Sequence, residues 1–180
     1  DENGQNEDAL SLQAAMTEVL DYSQVNPVAL QAAIAPHLAA ALEGKRLQAN
    51  RLAGLCRGVM LGGADFVLIE GAGGWRVPIN GRETLADLAI ELRVGVIMVV
   101  GMRLGCINHA LLTAEAIRRD GLPLAAWVAN QPGPRMDRHE ENLDTLRQLL
   151  PAPLLGDIPN LPHWQASDIA GYLELAVLLN

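Results

Sequence analysis

The sequence predicts an α/β fold with a parallel sheet, on two observations. Short apolar runs bounded by glycine or proline alternate with longer segments of helical periodicity, as in βαβ units. The first run, residues 66–69, leads without interruption into Glu70 and the small-residue loop 71–74, which is typical of a buried parallel strand. Ligands bind beyond the carboxyl ends of parallel strands, so we expect chemistry at this loop. The alternative is a glycine turn in which Glu70 is merely solvated.

Composition limits the possible classes of protein. The 180 residues are 50% apolar and 3% aromatic, which predicts a single α/β domain over residues 1–180 with an aliphatic core. The net charge of -8, without a basic block, argues against nucleic acid and membrane partners but permits a nucleotide. Cys56 and Cys106 lie far apart without CxxC spacing, which argues against a disulfide framework and against a zinc site. The sequence predicts neither a membrane-spanning helix nor a signal peptide. A cytoplasmic location is therefore expected.

The first half of the chain is predicted to be mainly helical. Helices are expected at residues 9–20, 36–44 and 48–62, the last ending at a glycine pair before the strand at 66–69. Apolar residues at helical spacing predict the inward face of the third helix. These residues are Leu52, Leu55, Val59 and Met60.

The second half alternates strands and helices more regularly. Thr84 and Asp87 form a capping signature for a helix at 85–92, and Asp137 with Glu140 is expected to cap a helix that ends near Leu149. Buried strands are predicted at 95–100, 124–129 and 154–158. A long helix is expected at 107–120 and a final one from Ser167.

The chain resembles the dethiobiotin synthetase family over essentially its whole length, through several short segments. The resemblance is carried, in order, by NEDALSLQ, VNP, APHLAA, EGAGGWRVP, VVGMRLGCINHALLTAEAI, WVAN and PAPLLGDIP. It implies a P-loop NTPase-like three-layer fold with a mostly parallel central sheet flanked by helices. It also implies an ATP- and Mg²⁺-dependent ligase of biotin biosynthesis, which closes a ureido ring on 7,8-diaminopelargonic acid with CO₂ or bicarbonate.

One part of the family pattern has no counterpart in the sequence. The family has a GxxxxGK[ST] phosphate loop and a second lysine for the diamine, but Gly44-Lys45 is followed by Arg46, and Ala39 stands where the first glycine belongs. We therefore expect the first strand and phosphate loop to be missing from this chain, and the fragment to be inactive. No catalytic residue is assigned, since the phosphate-loop and substrate lysines have no counterpart.

The resemblance implies a nucleotide and metal site. Asp8 and Glu70 match the metal-associated carboxylates and suit Mg²⁺, a hard cation that is often held by one or two carboxylates plus phosphates. Without the resemblance, Asp8 would be interpreted as a helix cap or first-turn acid. The remaining implied nucleotide ligands are Gly71, Ala72, Gly73, Asn130, Gln131, Ile158, Pro159 and Asn160. Among these, Asn130 has the amide donor and acceptor needed for the edge of adenine.

The resemblance also implies a substrate site that spans a homodimer. Gly105, Cys106, Ile107 and Asn108 begin a helix, whose free N–H groups favour an anion, here the carboxylate tail of diaminopelargonate held mainly by the other subunit. An ordinary helix start with Asn108 as a local cap is the alternative. At the level of function, the alternatives are a cobyrinate-type amidating synthetase and a non-catalytic relative that binds nucleotide or only dimerises.

Overall fold

The computed structural model describes residues 5–161 and 166–178. The chain divides into two compact units, Asp1–Arg93 and Val94–Asn180. The fold is α/β, as predicted: the first unit is helical within its described part, and the second contains a parallel sheet. A single domain over the whole chain stays a prediction.

The first unit contains five described helices and a small aliphatic core. They are α1 (Glu7–Ala15), α2 (Tyr22–Val25), α3 (Pro36–Leu42), α4 (Ala49–Met60) and α5 (Leu85–Leu92). The core cluster joins α3 and α4 to the loop before α5 through Ala40, Leu47, Ala49 and Ile79. The predicted box at Thr84 is confirmed, since the Thr84 N–H and Oγ1–H both donate to Asp87 Oδ2, at 2.6 and 2.9 Å.

Two helices of this unit differ from the prediction. The first ends at Ala15 rather than near residue 20, because Met16 adopts an extended backbone and the Gln13 side chain donates to the Leu20 carbonyl, fixing a loop. In α4 Leu52 of the predicted inward face packs against the core cluster and Val59 is half-buried, but Leu55 and Met60 are exposed. The fully buried residues of α4 are the small Ala49 and Ala53. Helical spacing thus predicted an apolar face for α4, but tertiary packing turned the neighbouring face, with its small alanines, toward the core.

The predicted strand at residues 66–69 is wrong for the described structure. Phe66 is 57% and Leu68 60% exposed, and residues 66–70 are not assigned to a strand. A strand requires a neighbour that completes its backbone ladder, and the described part of the first unit contains no strand to pair with it. An apolar run supplies hydrophobicity, but it does not supply the pairing edge.

The second unit is a three-layer arrangement around a parallel sheet in the order β1-β2-β3. Its described elements are β1 (Val96–Gly101), α6 (Cys106–Arg119), β2 (Leu124–Asn130), α7 (His139–Leu149), β3 (Leu154–Ile158), α8 (Ala166–Ala170) and a 3₁₀ turn (Leu175–Leu178). These three strands are confirmed to within one residue. In the register, Gly101 lies opposite Asn130, and Asn130 opposite Ile158.

Alternate strand residues pack on opposite faces of this sheet. On one face, Trp127 and Ala129 pack with α6 and α7, whereas on the other Ala126 and Val128 pack with Leu155 and the C-terminal 3₁₀ turn. This period of two is the pattern of a sheet covered on both sides.

Two helix boundaries of the second unit also differ from the sequence prediction. The cap of α7 is Arg138, in the left-handed region at φ 55°, so the predicted start at Asp137 is off by one residue. The last helix is short, with five residues, and a separate 3₁₀ turn follows it.

Among the described residues, no helix has the length and apolar character needed to cross a membrane.

Candidate functional site

Asp8 lies in the first turn of α1, and its side chain is exposed. The N-cap is Asn6, whose Oδ1 accepts from the Ala9 N–H at 2.9 Å. The capping role considered for Asp8 therefore belongs to Asn6, and the Asp8 carboxylate is left at the surface near the positive end of the helix.

Glu70 is close enough to Asp8 for the two carboxylates to repel each other. Partial desolvation raises the pKa of Glu70 above its ordinary value, and the negative charge of Asp8 raises it further. The residue as a whole is exposed, so only part of its carboxyl group is shielded from water. Two carboxylates that repel each other in this way are an arrangement that a divalent cation would stabilise.

The loop after Glu70 exposes its backbone. Gly71, Ala72, Gly73 and Gly74 are all exposed, and Gly73 and Gly74 have φ values of 77° and 120°. Residues other than glycine rarely adopt these backbone angles, and a Cβ on Gly73 would crowd the Val77 side chain at 3.2 Å. Glycine thus allows a sharp loop whose amides are open to a bound anion.

The far end of this loop is anchored in the structure. The Leu85 N–H donates to the Val77 carbonyl at 2.9 Å, and Pro78 bridges Thr84 in an antiparallel pair. Ile79 is fully buried in the core of the first unit. The loop therefore spans from a carboxylate at one end to a core anchor at the other.

The described residues contain no group of three or more His, Cys, Asp and Glu side chains that could hold a metal ion. Asp8 and Glu70 thus form a two-carboxylate set. This donor set fits Mg²⁺, because Mg²⁺ keeps several waters and commonly takes its other ligands from substrate phosphates. It does not match a typical zinc site, which takes three or four protein ligands, mostly from Cys and His.

The start of α6 has the form expected for an anion site. Gly105 is the N-cap at φ 91°, Cys106 is buried, Ile107 packs partly against the core, and Asn108 is exposed. The Gly105 carbonyl accepts from the His109 N–H at 3.1 Å. Cys106 and Ile107 thus pack inward and Asn108 lies at the surface. The Cys106 N–H donates to the Arg103 carbonyl at 2.9 Å, so this first-turn amide already has a partner.

The predicted adenine-binding residues lie at the carboxyl ends of two adjacent strands. Asn130 ends β2, half-buried, and its carbonyl accepts from the Met102 N–H at 2.7 Å. The Gln131 N–H donates to the Ile158 carbonyl at 3.0 Å, so the sheet pairing continues one residue past β2. Pro159 is half-buried and Asn160 is exposed directly after β3.

Gln131 differs from the expectation in its side chain. It is buried, and its Nε2–H donates to Asp157 Oδ1 at 3.2 Å. Asp157 Oδ2 in turn contacts Nε2 of His139 at 2.7 Å. Sequence analysis missed Asp157 and His139, although an acid within the apolar strand 154–158 was an available signal.

The site residues are thus grouped within each unit. Asp8 and Glu70 lie near each other in the first unit, next to the loop at 71–74. Asn130, Gln131 and Ile158 are joined by backbone pairing in the second unit, which also contains the start of α6.

Comparison with known proteins agrees with this architecture. A family model described as an AAA domain matches residues 1–167. A relative from Cellvibrio japonicus, the ATP-dependent dethiobiotin synthetase BioD, is 59% identical over 97% of this chain and 76% of its own length. Proteins of the same name from Pseudomonas paraeruginosa and Aeromonas salmonicida are 55% and 45% identical, over 96% and 97% of this chain and 76% and 77% of theirs.

The parallel α/β sheet and the AAA match define the class as a P-loop-type α/β enzyme that depends on ATP. Within this class, the chain belongs to the family of ATP-dependent dethiobiotin synthetases, which are ligases of biotin biosynthesis.

Proposed function

We propose that this protein closes the ureido ring of dethiobiotin from 7,8-diaminopelargonic acid and CO₂, with conversion of ATP to ADP and phosphate. Membership in the family carries this proposal. In the proposed sequence, one amine of the substrate adds CO₂ to form a carbamate, ATP phosphorylates the carbamate, and the second amine displaces phosphate. The protein contributes mainly positioning and charge neutralisation to these steps.

Asp8 and Glu70 are proposed to hold Mg²⁺ against the phosphates of ATP. Their mutual repulsion, which contributes to the raised pKa of Glu70, supports this role because a cation between them would relieve it. The bound ion would neutralise phosphate charge. The amides of Gly71, Ala72 and Gly73 are proposed to donate to phosphate or carbamate oxygens, since this exposed backbone is held at one end by a buried core residue.

Asn130 is proposed to recognise the adenine edge, together with main-chain atoms of Gln131, Ile158, Pro159 and Asn160. Its backbone is fixed by Met102 and by the pairing with Ile158. No hydrogen bond to its side-chain amide is present among the residues described, so both amide groups can serve a ligand.

Asn130→Asp is expected to raise the KM for ATP about 10- to 100-fold, because the carboxylate keeps the shape of the amide but loses its donor. The KM for diaminopelargonate should stay near the wild-type value. Initial rates with each substrate varied separately measure both constants, and Asn50→Asp, at an exposed residue of α4, is the matched control. An unchanged KM for ATP would contradict the proposed contact.

The start of α6 is proposed to bind the substrate carboxylate across a homodimer. Gly105 and Asn108 present the exposed first turn, and two apolar side chains flank this turn at the surface. Leu104 is 98% and Leu112 56% exposed, and Leu112 lies one turn after Asn108. A second copy of the chain would cover these leucines and complete the site.

Leu112→Glu is expected to convert the dimer to a monomer, since it places a charge in the proposed contact. Activity should fall in parallel, with the KM for diaminopelargonate rising while nucleotide binding persists. Analytical ultracentrifugation gives the mass, and Leu149→Glu, at an exposed leucine of α7, is the control. A Leu112→Glu protein with wild-type mass would argue against this surface.

The reaction itself is tested by incorporation of labelled bicarbonate into dethiobiotin. Protein expressed from the complete gene should form product only when ATP, Mg²⁺ and diaminopelargonate are all present, and its failure to do so would overturn the proposal. Residues 1–180 expressed alone are expected to form none, because Lys45 is their only lysine and does not lie in a phosphate-loop pattern.

A further inference from the structure

A part-buried polar network joins the two loops that the proposed nucleotide site uses. The Asp157 carboxylate, near the end of β3, accepts from the Gln131 side chain on one oxygen at 3.2 Å and contacts His139 Nε2 on the other at 2.7 Å. Gln131 is 8% and His139 3% exposed. The Gln131 and His139 ends of these contacts are therefore shielded from water, whereas the Asp157 side chain is 26% exposed. A hydrogen bond is stronger where water is excluded, and a broken one is more costly.

The positions of these partners in the chain give the network its significance. Gln131 is the first residue after β2, and His139 is the first residue of α7. The loop 131–138 lies between them, so one carboxylate holds both ends of this loop. Asp157 is also the residue before Ile158, and therefore connects the same loop to the second proposed part of the base pocket.

Packing alone does not explain this arrangement. His139 Nδ1 is buried without a hydrogen-bond partner among the residues described, which has a cost in free energy that an apolar residue would avoid. Polar groups that are retained in a core at such a cost can specify one local geometry rather than add stability. Here the geometry specified is that of the strand ends next to Asn130.

We propose that Asp157, His139 and Gln131 form a clamp that fixes the loop 131–138 against the end of β3 and thereby sets the selectivity of Asn130 for adenine. These are positioning residues, and none of them is required to touch the nucleotide through its side chain. The proposal rests on the proposed function, because it concerns the orientation of the same base-recognising amide. A loosened clamp would let Asn130 and Ile158 shift, and a hydrogen-bonding pocket loses selectivity when its donor and acceptor are misplaced.

His139→Leu is the main variant, because it removes the Nε2 contact while keeping an apolar side chain in the core. His139→Gln is the conservative variant, since its amide can place a donor near the position of Nε2. Asp157→Asn removes the negative charge and one of the two acceptor oxygens, and so weakens the network from the other side if His139→Leu does not fold. Asp144→Asn is the matched control, because Asp144 is an exposed acid of α7 whose only described partner is Arg147.

Binding of ATP and GTP to protein from the complete gene is measured by calorimetry. His139→Leu should weaken ATP binding about tenfold and GTP binding much less, which reduces the ratio between the two nucleotides. His139→Gln should restore most of this ratio, and diaminopelargonate binding should not change in any variant. Amide hydrogen exchange should show faster exchange at residues 131–138 in His139→Leu and Asp157→Asn, but not in Asp144→Asn.

The outcomes separate the clamp from the proposed function. Unchanged exchange at residues 131–138 would overturn the clamp, and faster exchange with an unchanged ATP-to-GTP ratio would overturn its role in selectivity. Equal loss in His139→Leu and His139→Gln would indicate a packing role only and would overturn the proposal as well. If the wild-type protein binds no adenine nucleotide, the proposed function itself fails, and the exchange data still decide whether the clamp exists.

Discussion

Glu70→Gln is expected to lower kcat/KM for dethiobiotin formation by about 10²- to 10³-fold, the range typical of losing one charge-stabilising group in an active site. The amide keeps the size of the side chain but removes the negative charge proposed to hold Mg²⁺. The Mg²⁺ concentration needed for half-maximal rate should rise at the same time. Initial rates over a series of Mg²⁺ concentrations measure both effects.

The same substitution should not destabilise the folded protein when Mg²⁺ is absent. The pKa of Glu70 is raised by desolvation and by Asp8, so the folded state disfavours its ionised form. Below the ordinary carboxyl pKa the group is protonated in both states and has no effect, whereas above its raised pKa the folded state carries the cost. At neutral pH, Glu70→Gln should therefore leave the thermal midpoint equal or slightly higher, as differential scanning calorimetry can show.

Two further variants test whether the effect comes from a shared metal. Glu91→Gln changes an exposed acid of α5 in the same unit and should leave the rate unchanged. Asp8→Asn should resemble Glu70→Gln, and the double variant should lose little more than either single one, because residues that act through one ion are not additive. Fully multiplicative losses, or a wild-type Mg²⁺ dependence in Glu70→Gln, would contradict a common metal site.

Sequence patterns located the second unit more accurately than the first. The strands Val96–Gly101, Leu124–Asn130 and Leu154–Ile158 were predicted to within one residue, because buried runs bounded by glycine, proline or polar residues allow few alternatives. The run at 66–69 has the same composition but lies in a unit whose described part offers no strand as a neighbour. Composition determines whether a segment prefers a strand conformation. Only the tertiary structure provides the neighbouring strand whose backbone it can hydrogen-bond.

The candidate site follows the same division between local and distant information. Gly105 at the start of α6 and Asn130 at the end of β2 occupy positions that local patterns define. The contact between His139 and Asp157 joins residues 18 apart in sequence, on a helix and a strand that adjoin only after folding. Local spacing contains no information on such a pair, so its discovery required the structure.

Trp127→Ala is expected to lower the free energy of unfolding by about 3–5 kcal/mol, as for other large aromatic residues cut back to alanine in a core. Among the described residues, Trp127 is the largest fully buried side chain; it lies in the middle of β2 and packs with Met98, Leu143 and Leu146. Its removal would leave a cavity between the sheet and α7. Denaturant unfolding followed by far-UV circular dichroism measures the change, together with hydrogen exchange in the three strands.

Trp127→Phe separates the contribution of volume from that of the indole N–H. The Trp127 Nε1 atom is buried without a hydrogen-bond partner among the described residues, so phenylalanine would lose no hydrogen bond and would remove a buried polar group. We therefore expect a loss of only about 1 kcal/mol from the smaller ring, since transfer and cavity terms scale with the volume removed. Leu149→Ala, at an exposed residue of α7, should cost less still. A loss for Trp127→Phe as large as for Trp127→Ala would instead indicate that the N–H has a partner, and that β2 is held next to Asn130 by a hydrogen bond as well as by packing.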